Sequence, residues 1–329
     1  MQEQYLQLWE KWVAEWELWA QWVALLLVLF ICSIFSVNAQ EAESRTMTEI
    51  MEAPNPEKYK ELNLNNRSLT KLPIEIGRFV NIEKLWLNYN NLQSLPFEIG
   101  KLTKLRELYI NNNLFLKFPI ELGKLASLEK LEFQKNKIEV VSPYIGKLLK
   151  LKKLNLSNNK IEAIPLEIGN LRNLTELVLF DNKIKEIPLE IASLSKLKVL
   201  NLEKNSVELF PSEIGNLSEL TIINMKSNLI QAIPLEIGNL INLKNLILDK
   251  NKIKKFPVEL CKLTNLTLLD LDGNLLKTLP AEIVNFTNLK ELYLGVNPWV
   301  SFPESTYPFL ESLEFGQSES VRKLIKTKM

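Results

Sequence analysis

The sequence contains no histidine. Serine–histidine and cysteine–histidine catalysis are thereby excluded, as is every histidine-ligated metal site. Cysteine is almost as scarce, because Cys32 and Cys261 allow at most one disulfide and no cross-linked framework. Neither sign of charge is in excess: 40 Lys and Arg stand against 39 Asp and Glu, a formal net charge of +1. That balance removes the electrostatic ground for a nucleic-acid partner. No nucleophile–base pair, phosphate loop or metal-ligand cluster interrupts the chain. The expectation is a protein that is not an enzyme and has no cofactor and no metal.

What the sequence has in abundance is repetition, which overrides any domain count taken from its 329 residues. Ten of the 15 prolines, at 73, 96, 119, 165, 188, 211, 234, 257, 280 and 303, lie 23 residues or a multiple of 23 apart. Asn90, Asn113, Asn136, Asn159, Asn182, Asn205, Asn228, Asn251, Asn274 and Asn297 keep the same period. Each is preceded by an apolar-x-apolar pair, and the pairs run from Leu62/Leu64 to Leu292/Leu294 in eleven copies, with a weaker twelfth at Leu313/Phe315. The two-residue alternation marks a short strand with one buried face. One such strand cannot shelter its own leucines, but stacked copies can. The asparagine stands where the chain leaves the strand and turns inward, where its amide can satisfy backbone groups of adjacent coils, so it is expected to be structural. Seven glycines share a later phase, at Gly77, Gly100, Gly123, Gly146, Gly169, Gly215 and Gly238. Either left-handed φ or close packing would explain them. Ser142 stands in one proline position with Pro143 following, which predicts a local irregularity at most.

The segment LTKLRELYINNNLFLKFPIELGKL fits L-x-x-L-x-L-x-x-N-x-L and resembles the leucine-rich repeat proteins. Its 23-residue LPxEIGxLxNL form is similar to the repeats of bacterial proteins from spirochaetes and their relatives. The resemblance implies an α/β solenoid shaped as a horseshoe, with a parallel concave β-sheet of 11 regular strands plus the terminal twelfth and an irregular or short-helical convex side. It also implies a macromolecular binding role, with surface or secreted exposure and recognition of host molecules.

The chain divides into residues 1–39, a Trp-rich helix plus signal peptide or membrane anchor; 40–60, an N-terminal cap; 61–302, the repeats; and 303–329, a C-terminal cap and basic tail. Trp22 to Val37 carry no charge, and Val37-Asn38-Ala39 fits cleavage before Gln40, which points to export. The preceding 21 residues are acidic, and Tyr5, Trp9, Trp12, Trp16, Trp19, Val23 and Leu26 fall on one face of a helix. Three readings stand: a translation start nearer Val23, an aromatic anchor leading into a retained span, or self-association. Membrane contact is expected only through these residues. Thr46 and Glu49 form a candidate capping box ahead of a helical turn stopped by Pro54 and Pro56. Phe309, Leu310, Leu313 and Phe315 are expected to close the far end, followed by a solvated tail carrying Arg322, Lys323, Lys326 and Lys328.

Alternation also decides which side chains line the exposed sheet face. Trp86, Tyr89 and Tyr109 cluster on two successive coils, bordered by Asn88, Asn111 and Asn112. Large aromatics with a polar rim anchor protein interfaces and also stack on sugars. Val178 and Phe180, with Val199, Ile222, Ile247 and Leu268, form a second apolar group, and Tyr293 lies further along the same column. Asp249, Asp270 and Asp272 gather on adjacent coils and could hold calcium or act as acids and bases, although Lys226 and Lys250 nearby fit an ordinary mixed-charge surface. Sequons at Asn66, Asn155, Asn173, Asn216, Asn265 and Asn285 are better explained by repeat grammar than by glycosylation. The expected partner is a protein, of a host or a cell surface, with a glycan or glycosaminoglycan as the alternative. A purely structural envelope role is the third reading.

Overall fold

The computed structural model describes residues 46–313. The tryptophan stripe, the uncharged segment, the cleavage site, Cys32, Phe315 and the basic tail lie outside them. Each x-L-x segment ahead of a ladder asparagine forms a three-residue strand, from β1 (Glu61–Asn63), β2 (Lys84–Trp86) and β3 (Glu107–Tyr109) through β4 (Lys130–Glu132), β5 (Lys153–Asn155), β6 (Glu176–Val178) and β7 (Val199–Asn201) to β8 (Ile222–Asn224), β9 (Asn245–Ile247), β10 (Leu268–Asp270) and β11 (Glu291–Tyr293). All pair in parallel and in sequence order, each residue facing the one 23 positions on, as Trp86 faces Tyr109. The eleven expected strands are therefore one sheet. Leu313 of the expected twelfth directly follows a terminal helix, α2 (Tyr307–Ser312).

The opposite side is made of ten five-residue 3-10 turns, from Ile74–Arg78 to Ala281–Asn285. Proline sets them up. Its fixed φ holds the entry extended, and its carbonyl accepts the first turn bond, as Ile99 N–H donates to Pro96 O at 3.0 Å. Ser142 performs the same entry, its Oγ accepting from Tyr144 N–H at 3.3 Å, so the shifted proline leaves the turn in phase. Between sheet and turns a continuous core runs the length of the stack, with Leu85, Ile99, Leu108 and Leu131 among its fully buried residues. Each such side chain contributes about 1.5–3 kcal/mol, shared between its own coil and the coils stacked on either side.

Close packing, not left-handed backbone, accounts for the periodic glycines. A Cβ at Gly169 would stand 2.7 Å from Glu190 O, and one at Gly215 would stand 2.6 Å from Glu236 O. Positive φ recurs on a different phase, one residue before each of the ten ladder asparagines and before Arg67 of the first coil. It is occupied by Asn66, Tyr89, Asn112, Lys135, Asn158, Asp181, Lys204, Ser227, Lys250, Gly273 and Val296. The single glycine among them shows that the turn does not depend on that residue type.

Both ends of the stack are covered. A helix over 46–51, α1, buries Ile50, and Arg78 donates to Met51 O and Ala53 O at its C-terminal end. At the far end Leu310 of α2 is fully buried, while Phe309 and Leu313 pack partly covered against the core. Among the described residues no helix is long and apolar enough to cross a membrane.

Candidate functional site

The ten predicted ladder asparagines all do one job. Asn228 donates from Nδ2 to Leu202 O at 2.9 Å and Met225 O at 3.0 Å, and its Oδ1 accepts from Val207 N–H at 3.0 Å. The same three-way pattern recurs from Asn90 to Asn297. These side chains join coils and are not available to a ligand.

The exposed sheet face carries a second, less regular system. The N–H of the residue three places beyond each central strand leucine or isoleucine lies on the exposed face and needs an acceptor. In five coils a side chain two residues earlier supplies it: Asn63, Asn155, Asn201, Asn224 and Asp270 accept from residues 65, 157, 203, 226 and 272. Where Trp86, Tyr109 and Glu132 occupy that place, an amide on the preceding coil takes over. Asn65 accepts from Asn88 N–H, Asn88 from Asn111 N–H and Asn111 from Gln134 N–H, at 2.7, 2.8 and 2.9 Å. The rim residues Asn88 and Asn111 thus carry a backbone duty through Oδ1, a role that spacing alone did not reveal.

That relay frees three positions for other side chains, and two of them hold the predicted aromatics. Trp86 and Tyr109 lie side by side in register, half-buried, with ring centroids 5.8 Å apart and planes 8° from parallel. Tyr109 Oη donates to Glu107 Oε2 at 2.5 Å, and Lys130 Nζ stands 5.0 Å from the ring. Burial, then the Glu107 contact, raises the phenol above its ordinary range. Glu107 and Lys130 were missed as site residues, although their place two residues before Tyr109 and Glu132 puts them on the same strand face. Tyr89, three residues beyond Trp86 in the same coil, is 58% exposed and left-handed at φ 58°. Asn112 holds the equivalent left-handed place on the next coil.

The register divides the second apolar group. Val178 lies between Asn155 and Asn201, and Ile247 lies between Asn224 and Asp270. Val199 and Ile222 are direct neighbours, while Asn245 separates Ile222 from Leu268. Phe180 is half-buried beneath Lys204, whose Nζ is 5.0 Å from the ring. Tyr293 is half-buried and donates to Glu291 Oε2 at 2.8 Å.

Charges on the first coils are mutually paired. Lys60, Glu83, Arg106, Glu129 and Lys152 form a chain of contacts from 2.6 to 3.7 Å across successive coils. The last coils differ, since Asp249, Asp270 and Asp272 meet the single contact of Lys226 Nζ with Asp249 Oδ2 at 2.8 Å. Among the described residues no group of three or more metal-ligating side chains is arranged to hold an ion. Cys261 is buried and free, and burial pushes its thiol up to about 12, which keeps it protonated and unreactive. A cleft of about 450 Å³ opens between α1 and the first coil, lined by Ile50, Tyr59, Leu62 and Phe79, but it contains none of the predicted ligand residues.

Family models for a leucine-rich repeat region match residues 134–233, for leucine rich repeat 241–298 and for two-copy leucine rich repeats 80–121. A leucine-rich repeat protein of Leptospira interrogans with a solved structure is 31% identical over 82% of this chain and 82% of its own, with a TM-score of 0.57. The chain belongs to the leucine-rich repeat family. None of the matching models is of a catalytic domain. A TDR receptor is 29% identical over 79% of this chain, with a TM-score of 0.71, and the repeats described here span 48% of its length. The functional domain of InlJ from Listeria monocytogenes, 22% identical over 82% of this chain and 55% of its own with a TM-score of 0.69, shares the leucine-rich repeat fold. No curated protein matches the sequence.

Proposed function

We propose that this protein is an exported, non-enzymatic leucine-rich repeat scaffold that takes a protein partner on its sheet face, anchored by Trp86, Tyr89 and Tyr109. The observation that carries this reading is the parallel Trp86–Tyr109 pair, with Tyr89 exposed three residues beyond Trp86. The Asn65–Asn88–Asn111 relay supports it, because it satisfies the backbone by other means and leaves these positions free for large side chains. Likeness to a receptor supports macromolecular recognition. The spirochaete repeat pattern, together with the Leptospira relative, supports a host or cell-surface partner. The uncharged segment ending at Ala39 supports export.

A protein contact fits better than a glycan. Flat stacking of a sugar needs an open ring face, whereas the inner faces of Trp86 and Tyr109 are turned to each other and Lys130 lies against the tyrosine. Comparative pull-down from host-cell surface extract, using the full chain and the Trp86→Ala/Tyr109→Ala variant, tests the reading. A protein retained by the parent should lose at least about 30-fold in affinity, with weak salt dependence. Equal retention by both proteins would favour the structural envelope role. A steep loss with added salt would favour a glycosaminoglycan.

A further inference from the structure

The far half of the sheet face contains a carboxylate that the fold does not use. Outer-column side chains such as Asn88 and Asn111 are retained by backbone N–H groups of the next coil. Asp249 has no such duty, because Asp272 N–H is already accepted by Asp270 Oδ1 at 3.1 Å. Asp249 is nevertheless 97% buried, with 3% exposure, and its Oδ1 meets no donor although its Oδ2 is held by Lys226. A buried carboxylate oxygen without a partner is costly, so its retention calls for a second cation. Asp270 and Asp272 stand on the adjacent coil, half-buried, each with one oxygen engaged: Asp270 Oδ1 by Asp272 N–H and Asp272 Oδ1 by Gly295 N–H.

We propose that Asp249, Asp270 and Asp272 form a subsite for an arginine side chain of the protein partner. Adjacent parallel strands are about 4.8 Å apart, a separation that a planar guanidinium can bridge with donors on two sides. Asp270 and Asp272 meet the guanidinium from the open side, and Asp249 supplies charge from beneath. The surroundings provide little competing compensation. Glu203 Oε2 is taken by Asn224 Nδ2, Glu291 by Tyr293, and among the described residues Lys226 is the one cation paired with the cluster, through Asp249. Burial raises both Asp270 and Asp272 above the ordinary carboxylate range, with the neighbouring Asp249 adding to each, which marks the negative charge as under-compensated. An organic cation fits this site better than a metal, since the three carboxylates are not arranged to converge on one ion.

The subsite rests on the sheet-face reading given above but stands on different coils, so the two fail separately. The test is an NMR titration of the isotopically labelled full chain with acetyl-Gly-Arg-Gly-amide, its neutral citrulline analogue and calcium chloride. The arginine peptide should give saturable shifts at the amides of residues 226, 249, 270–273 and 295, and the analogue none. Asp249→Asn with Asp270→Asn, which keeps the Oδ1 acceptor for Asp272 N–H, should weaken binding at least about tenfold. Lys226→Gln, which removes the resident cation, should strengthen it, an effect that a purely structural cluster would not show. Trp86→Ala/Tyr109→Ala should leave peptide binding intact even if it abolishes capture of the partner. Equal binding of the citrulline peptide, no loss in the Asn variants, or larger shifts with calcium than with the peptide would overturn the subsite.

Discussion

At the scale of single residues, the most informative position is the one before each ladder asparagine. Its backbone is left-handed in all ten of those coils, and at the equivalent Asn66 of the first coil, yet its side chain is tyrosine, lysine, aspartate, serine or valine as readily as asparagine. Left-handed geometry costs a residue with a Cβ about 1–2 kcal/mol. Gly273 is the exception, at φ 61°. Tyr89 is the bulkiest side chain in the set and is 58% exposed, so its ring returns little burial for that strain. Tyr89→Gly should therefore raise stability by about 1 kcal/mol, read as a higher urea midpoint, while lowering affinity for the partner. Loss of both stability and binding would show that the tyrosine packs into the coil and would remove it as an anchor.

Between elements, cohesion comes from asparagine amides that each join two coils. Asn228→Leu keeps the volume but leaves Leu202 O, Met225 O and Val207 N–H without their partners, and it should cost about 3 kcal/mol or more. Denaturation followed by hydrogen exchange should show the loss centred on β7 and β8 with their turns, since each coil answers mainly to its neighbours. A uniform loss along the whole stack would contradict that nearest-neighbour account. The strands and this ladder were legible in sequence because both are strictly periodic and one buried face dictates residue type. Less legible was the reason for the glycines: a Cβ at Gly215 would collide with Glu236 O on the next coil, a contact that no local pattern reveals. The site was readable only in part. Alternation placed Trp86 and Tyr109 together, but the duties of Asn88 and Asn111 depend on which acceptor the neighbouring coil lacks. The burial of Asp249 likewise follows from the side chains stacked around it.

For the molecule as a whole, the missing histidines make the response to pH unusually easy to assign. Histidine is the side chain that ordinarily titrates between about pH 5 and 8, and there is none. Asp270 moves into that window because burial, reinforced by Asp249 and Asp272, raises its carboxyl to about 6. The folded state then holds this proton more tightly than the unfolded chain does. Protonation thus favours folding: stability should rise as pH falls from about 6 towards 4, and the full penalty should be present above 6. Glu129 acts in the opposite sense. A hydrogen bond from Lys152 lowers its carboxyl, so its contribution is lost as the pH drops below the ordinary carboxylate range. Asp270 therefore governs the limb between about pH 6 and 4, and Glu129 belongs to the limb below it. Urea midpoints measured from about pH 7.5 down to about pH 3 should climb between about pH 6 and 4 before the acid limb turns them down, and Asp270→Asn should flatten the climb while leaving the acid limb unchanged. A parent protein with a flat profile, or an Asp270→Asn variant that climbs as steeply as the parent, would show that the charge of Asp270 is compensated within the fold, and with it would go the electrostatic support for a cation on these coils.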